Sequence, residues 1–347
     1  MSRTPRIAVL ERGLTLIELM VAMTISLVLL LGVASLTASH SLSSRELEQT
    51  SRQIETGRYA VQAIGDDLTM AGFYGTFTPK GAAISTLDPC AVAVGSLGFD
   101  NTTVPITVPA AAYGYAPGTA KPSCLTNVQP NTSVIVVRRV TSTPTAVGAA
   151  VAGETYLQAS GCGTDPKIFV IDTNTASFTL HLKDCTTVAP LRKYMVRIYY
   201  IASCSVCSGP KADTLPTLKV AELGGGAIAI TSLAEGVQDL EPDYGVDIDN
   251  NGSADCYVAD PGVDNSATCA GWAGAPNWSA PLQNWANVVT VRLHVLARNT
   301  DQSADWNDTR IYQMGLAGSA GPFNDKYKRH AYSEVVRFAN VAGMREQ

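Results

Sequence analysis

Arg12-Gly-Leu-Thr-Leu-Ile-Glu-Leu-Met20 opens an apolar run that continues as Val21-Ala-Met-Thr-Ile-Ser-Leu-Val-Leu-Leu-Leu-Gly-Val-Ala-Ser-Leu36. From Leu14 to Leu36 the run is about as long as a bilayer's hydrocarbon core at ~1.5 Å of rise per residue. One charge interrupts it, Glu18, five residues after Gly13. A carboxylate in a spanning helix costs on the order of 2.5–3.5 kcal/mol at mid-depth and less near the interface, which makes Glu18 a functional candidate. Ordinary secretory signals are cut after the apolar segment, at small residues. Here the expected processing point lies before it, so the apolar helix stays in the mature protein. Arg3, Arg6 and Arg12 precede the run, and the positive-inside rule therefore puts the leader in the cytoplasm and the bulk of the chain outside.

The string from Arg12 to Met20 resembles the class III signal of type IV pilins and of type II secretion pseudopilins. In that superfamily a prepilin peptidase cuts after the glycine and methylates the new amino terminus. The resemblance implies a cut after Gly13, a methylated Leu14 and, in Glu18, the glutamate at mature position five. Leu14 departs from the usual Phe. The competing reading is a plain signal anchor with an accidental Gly-x-x-x-x-Glu.

With 347 residues the chain holds one large domain or two smaller ones behind the anchor. Its net charge is −5, of which the leader through Gly13, with three Arg and one Glu, contributes +2, leaving −7 for the rest. Nucleic acid, whose phosphates demand a basic face, is not an expected partner. Eight cysteines follow the anchor and none precedes it: Cys90, Cys124, Cys162, Cys185, Cys204, Cys207, Cys256 and Cys269. An even count in an exported domain favours disulfides. Pairing each with its sequence neighbour (90–124, 162–185, 204–207, 256–269) is expected because each pair brackets a local loop. A zinc site or a redox-active pair at Cys204-Ser-Val-Cys207 is the alternative.

Beyond Leu36 the pattern turns amphipathic. Leu47, Ile54, Val61 and Leu68 fall seven apart, with Ile64 on the same face; this predicts a helix with one apolar stripe, capped near Ala71-Gly72. Gly57 weakens it slightly. Joined to the anchor it makes one helix of roughly 55 residues, about 85 Å long. A coiled-coil dimer is less well supported, since Thr50 and Tyr59 do not fill a clean seam. From Phe73 on, β-branched and alternating runs recur at 133–140, 167–171, 177–182, 193–202, 287–298 and 331–340, between Gly-, Pro- and Asn-rich stretches. The expected fold is α+β. The expected division is a leader at 1–13, a membrane helix at 14–36, an amphipathic helix at 37–72 and a β-rich domain with disulfide-tied insertions at 73–347.

Three later segments carry a narrower resemblance: Leu240-Glu-Pro-Asp-Tyr-Gly-Val-Asp247, Trp285-Ala-Asn-Val-Val-Thr-Val-Arg-Leu-His-Val-Leu-Ala-Arg298 and Arg329-His-Ala-Tyr-Ser-Glu-Val-Val-Arg-Phe-Ala-Asn340. Together with the length they look like the PilW family of type IV pilus minor pilins, and more distantly like J-type pseudopilins. The resemblance implies a structural protein that helps prime a pilus. It implies as partners other minor and major pilins, the prepilin peptidase and the pilus assembly platform, and a single-pass place in the inner membrane with later incorporation into the pilus. The alternatives are a pseudopilin of type II secretion and a membrane-anchored adhesin.

Asp247-Ile-Asp249-Asn-Asn251-Gly252-Ser253-Ala-Asp255 alternates hard oxygen donors around a glycine, as a Ca²⁺ loop does. Asp247, Asp249, Asn251, Ser253 and Asp255 are its candidate ligands, and Val258 stands where an EF-hand supplies a bidentate Glu. The competing reading is a hairpin turn. Catalysis has little support: His181 and His294 sit in strand patterns, and no nucleophile elbow, P-loop or zinc-protease motif occurs. Trp272, Trp278 and Trp285 suggest either an exposed contact patch or the packing of a long loop.

Overall fold

The structure, a computed structural model of the chain, describes residues 15–85, 88–270 and 278–346. Helix α1 runs uninterrupted over Leu16–Thr69. Thr15 starts it with a reciprocal capping box. The Thr15 hydroxyl accepts the Glu18 N–H at 3.4 Å, and the Glu18 carboxylate accepts the Thr15 N–H at 2.9 Å and its hydroxyl at 2.8 Å. By length and hydropathy α1 is able to cross a membrane, and residues 16–36 are exposed throughout.

Contacts divide the chain into Met1–Ser51 and Arg52–Gln347. In the second unit, the last turns of α1 bury Gln53, Gly57, Ala60, Val61, Ile64, Gly65, Asp67 and Leu68, spaced as one helical face. The seven-residue stripe expected from the sequence is therefore only partly the packing face: Val61, Ile64 and Leu68 are buried, but Leu47 and Ile54 are exposed. Small residues replace them because the helix lies close to strands. A Cβ on Gly57 would stand 2.1 Å from the Tyr332 ring, so this glycine is a packing notch rather than a mere weakness. The helix closes with Met70 and Ala71 donating to the Asp67 and Leu68 carbonyls. Gly72, at φ +71°, then turns the chain out and donates to the Arg138 carbonyl.

Strands β1 (Ala83–Ser85) and β2 (Thr107–Pro109) form a small parallel pair. Seven strands then form one antiparallel sheet: β3 (Ala112–Tyr115), β4 (Val134–Val140), β5 (Tyr156–Ala159), β6 (Phe169–Asp172), β7 (Leu191–Ala202), β8 (Thr217–Gly224) and β9 (Ala227–Glu235). The long β7 is its axis. It pairs with β5 at its start, with β4 from Tyr194↔Val140 to Tyr200↔Val134, and with β8 on its other edge. A second antiparallel sheet follows the order β11-β10-β12-β15, built from β10 (Val237–Val246), β11 (Cys256–Val258), β12 (Val288–Arg298) and β15 (Arg329–Arg337). The short helix α2 (Pro281–Asn284) precedes β12, the hairpin β13 (Tyr312–Gln313) and β14 (Ser319–Ala320) lies between β12 and β15, and α3 (Ala339–Arg345) ends the fold. The α+β class is as expected.

Two segments differ from the sequence reading. Residues 177–182 are not a strand: the Gln158 side chain takes the Leu180 N–H at 2.9 Å and donates to the Ala189 carbonyl at 2.7 Å, standing in for a neighbouring strand. The run 331–340 ends as strand at Arg337, and Phe338, buried, turns it into α3. Strands β8 to β10 are not read from the sequence, because Gly224 to Gly226 and Gly236 break the run between them and Pro242 falls within β10. Pro242 nonetheless sits in register with Leu293.

All eight cysteines are paired, each with its neighbour in sequence: Cys90–Cys124, Cys162–Cys185, Cys204–Cys207 and Cys256–Cys269.

Candidate functional site

Gly13 and Leu14 lie outside the described residues. Glu18 is exposed, in the first turn of α1, and both of its bonds from Thr15 fall on Oε2. Oε1 takes neither of them. The Thr-x-x-Glu spacing that produces this cap is legible in the sequence, although the role of Thr15 was not anticipated.

At the other end of α1, Asp67 is the anchor to the seven-stranded sheet. It is buried and accepts Arg139 Nε at 2.8 Å, Arg197 Nη1 at 3.1 Å and the Tyr199 hydroxyl at 2.6 Å. Arg197 in turn holds Glu222 at 2.9 Å. Burial raises the Tyr199 hydroxyl far above its usual value, and Asp67 beside it adds to the effect. No local pattern announces this node, because its partners lie 72 to 132 residues away.

The acidic hairpin joins β10 to β11. Asp247, buried, accepts the N–H groups of Asn250 at 2.7 Å, Asn251 at 3.2 Å and Gly252 at 2.9 Å, and also Arg345 Nη1 of α3 at 3.2 Å. Asp255 accepts the N–H groups of Ile248 and Asp249 at 2.6 and 3.2 Å. Asn251 donates its side-chain amide to Asp249 at 2.9 Å, and Ser253 is exposed with its N–H on Asn251 Oδ1. One carboxylate oxygen from each of Asp247, Asp249 and Asp255 lies within 4.8 Å of the others. The donor set suits a hard divalent cation. Against it stands Arg345, a cation already on Asp247. Val258, at the twelfth position, is buried in β11 opposite Tyr244, so a strand replaces the EF-hand's exit helix. Gly252 is needed for the close approach of α3, since a Cβ there would fall 2.8 Å from the Ala342 carbonyl oxygen.

A second acidic pair lies on β10. Asp239 and Glu241, two residues apart on one strand face, line a cavity of about 330 Å³ with Asn131, Met314 and Ser319. Burial pushes the Glu241 carboxyl up to about 8 and that of Asp239 to about 6. The Ser133 hydroxyl, 2.6 Å from Glu241, works the other way on Glu241. His294 links three strands, its Nε2 3.2 Å from Asp243 of β10 and its Nδ1 2.8 Å from Ser333 of β15. Both ring nitrogens are engaged and the residue is buried, as in a structural histidine. Trp278 and Trp285 are buried, Trp285 packing edge-on to Tyr244 at 4.7 Å. Those two belong to the core, and Trp272 lies outside the described residues.

The family described as type IV pilus-assembly protein W, PilW, matches residues 198–340, and the prokaryotic N-terminal methylation motif matches residues 10–34. Over these two stretches the chain is similar to PilW-type minor pilins. No curated protein and no solved structure matches it. The two matches support a structural role, that of a minor pilin in type IV pilus assembly, and do not favour the pseudopilin alternative. The PilW match opens within β7 and closes after β15, so it takes in the acidic hairpin and the whole four-stranded sheet. Residues 35–197, with the Cys90–Cys124 and Cys162–Cys185 loops, fall outside both matches.

Proposed function

We propose that prepilin peptidase cuts this chain after Gly13 and methylates Leu14. Residues 14–36 then hold it in the inner membrane, with residues 37–72 as the connecting helix and the domain at 73–347 on the periplasmic side. There it joins other minor and major pilins on the assembly platform and helps prime the pilus. The observation that supports this most is the order of features in one helix: the capped Glu18, an exposed apolar crossing, and then a buried docking face ending at Asp67. In lipid a carboxylate left unpaired is costly, and the methylated amine at Leu14 of an adjacent subunit is the cation that assembly brings to Oε1. That pairing favours one axial register of packed helices. Mass analysis of the mature amino terminus tests the cut, and retention of residues 1–13 overturns it. Glu18→Ala is expected to insert and be cleaved yet co-purify poorly with partner pilins, so unchanged pilus number and co-purification count against the register role.

The acidic hairpin is proposed, in addition, as a divalent-cation site. Its all-oxygen donors favour calcium, with Asp247, Asp249 and Asp255 as the carboxylate ligands and Asn251 beside them.

A further inference from the structure

Three of the four disulfides close loops of 34, 23 and 13 residues, whereas Cys204 and Cys207 are only three residues apart. In the chain-entropy picture so short a cross-link restrains the unfolded chain least. Something else distinguishes it. Lys219 of β8, only 8% exposed, lays its ammonium 3.5 Å from Cys207 Sγ and 2.9 Å from the Ser205 carbonyl oxygen. A buried ammonium has three donors to satisfy and is costly to desolvate. A disulfide sulfur is a weak acceptor and repays little of that cost. A thiolate repays much more.

Asp213 lies within electrostatic range of Lys219, but the hydrogen bonds of the two carboxylates at this loop go to other groups. Asp213 accepts the N–H groups of Ser205, Val206 and Leu215, and Glu235 accepts the Ser205 hydroxyl. Lys219 is the cation in contact with the sulfur, and Cys207 is the more accessible of the two cysteines, Cys204 being buried.

We propose that Cys204–Cys207 is an exchange-active disulfide whose reduced form is stabilised by Lys219 holding Cys207 as the thiolate. Its co-substrate is a dithiol of the thiol–disulfide exchange class. One thiolate of that dithiol attacks Cys207 Sγ, the Cys204–Cys207 bond breaks, and Cys204 leaves with the electron pair and takes up a proton. The dithiol's second thiolate attacks its own sulfur in the mixed disulfide, and Cys207 leaves as a thiolate beside Lys219. Two electrons pass: the dithiol becomes a disulfide, one of its protons goes to Cys204, and the other is released. A thiolate-stabilising cation favours the reduced side of such a couple.

The test uses the full chain in detergent, equilibrated in graded glutathione buffers. Thiols are trapped by alkylation and assigned by peptide mapping. The expected result is that 204–207 opens in a poise that leaves the other three pairs closed, and that reduced Cys207 alkylates at a lower pH than an ordinary thiol near 8.5. Lys219→Gln should shift the opening about tenfold toward stronger reductant, ~30 mV for this two-electron couple, and Lys219→Arg should restore it. The proposal is overturned by 204–207 opening with or after the other pairs, by an unmoved midpoint in Lys219→Gln, or by wild-type Cys207 alkylating like an ordinary thiol. If Lys219→Gln fails to fold, the wild-type alkylation profile decides by itself.

Discussion

Gly57 sets two effects of opposite sign against each other. Alanine in place of glycine inside a helix gains about 1 kcal/mol in intrinsic propensity. At this position the new methyl would fall 2.1–2.6 Å from three atoms of the Tyr332 ring, and overpacking of that kind costs typically 1–3 kcal/mol. The clash should win, so Gly57→Ala is expected to lower the denaturant midpoint, while the same change in a Tyr332→Ala background should raise it. A stabilised single variant would mean that the ring moves aside freely. Asp67 is a sharper case, because one carboxylate serves Arg139, Arg197 and Tyr199 together. Removing it leaves Arg139 without its carboxylate and the Tyr199 hydroxyl without its acceptor, while Arg197, half-buried, keeps Glu222. The loss is about 3 kcal/mol, the low end for breaking a buried pair. Asp67→Ala should therefore melt well below wild type, and Asp67→Asn should recover only part, since an amide supplies one neutral acceptor where a bidentate charge stood.

The acidic hairpin is an element with two possible cations. Arg345 holds Asp247 from α3 in the chain as it stands. A divalent ion on Asp247, Asp249 and Asp255 competes with it for the same oxygen. At a hundredfold excess over Kd, binding stabilises the folded form by roughly 2.7 kcal/mol, so the domain should melt several degrees higher in calcium than in chelator. Asp247→Ala with Asp249→Ala should erase that gap. Arg345→Gln should lower the melting point in chelator yet tighten calcium. Calorimetry without calcium-dependent heat at millimolar ion would leave Asp247 as an anchor for α3 alone. The sequence exposed the spacing of these acids because their contacts are local, within nine residues. It hid Arg345, which arrives from 98 residues away. The same division runs through the fold. Helix α1 and strands β4, β7 and β12 were legible because their periodicity is continuous. The end of β15 was not, since Phe338 continues the apolar pattern of the strand while its backbone turns into α3.

For the folded unit as a whole, pH acts in two separate windows. Asp165 and Asp184 are held down to about 2, chiefly by the hydroxyls of Ser160 and Thr187. Their contribution is present above the ordinary carboxylate value and is lost as pH falls toward 2. Asp239 and Glu241 run the other way. Burial raises both, to about 6 and about 8 from ordinary values of 3.8 and 4.5. The folded chain thus keeps protons that the unfolded chain releases. Their contribution is greatest below about pH 4.5 and declines as pH rises through the interval up to about 8. The two carboxyls share a cavity and titrate as a pair, so the decline belongs to the pair and not to either residue alone. Denaturant midpoints at pH 5, 6.5 and 8 should fall in that order for wild type. Glu241→Gln keeps an oxygen for the Ser133 hydroxyl, which donates to Glu241 at 2.6 Å, and removes the carboxyl that burial raises most. Its midpoints should fall less than those of wild type over the same range, the remaining decline coming from Asp239 and ending near pH 6, and should be higher than wild type at pH 8. A wild-type profile that rises from pH 5 to 8, or a Glu241→Gln profile with the wild-type slope, would show that the pair is solvated enough to ionise without penalty.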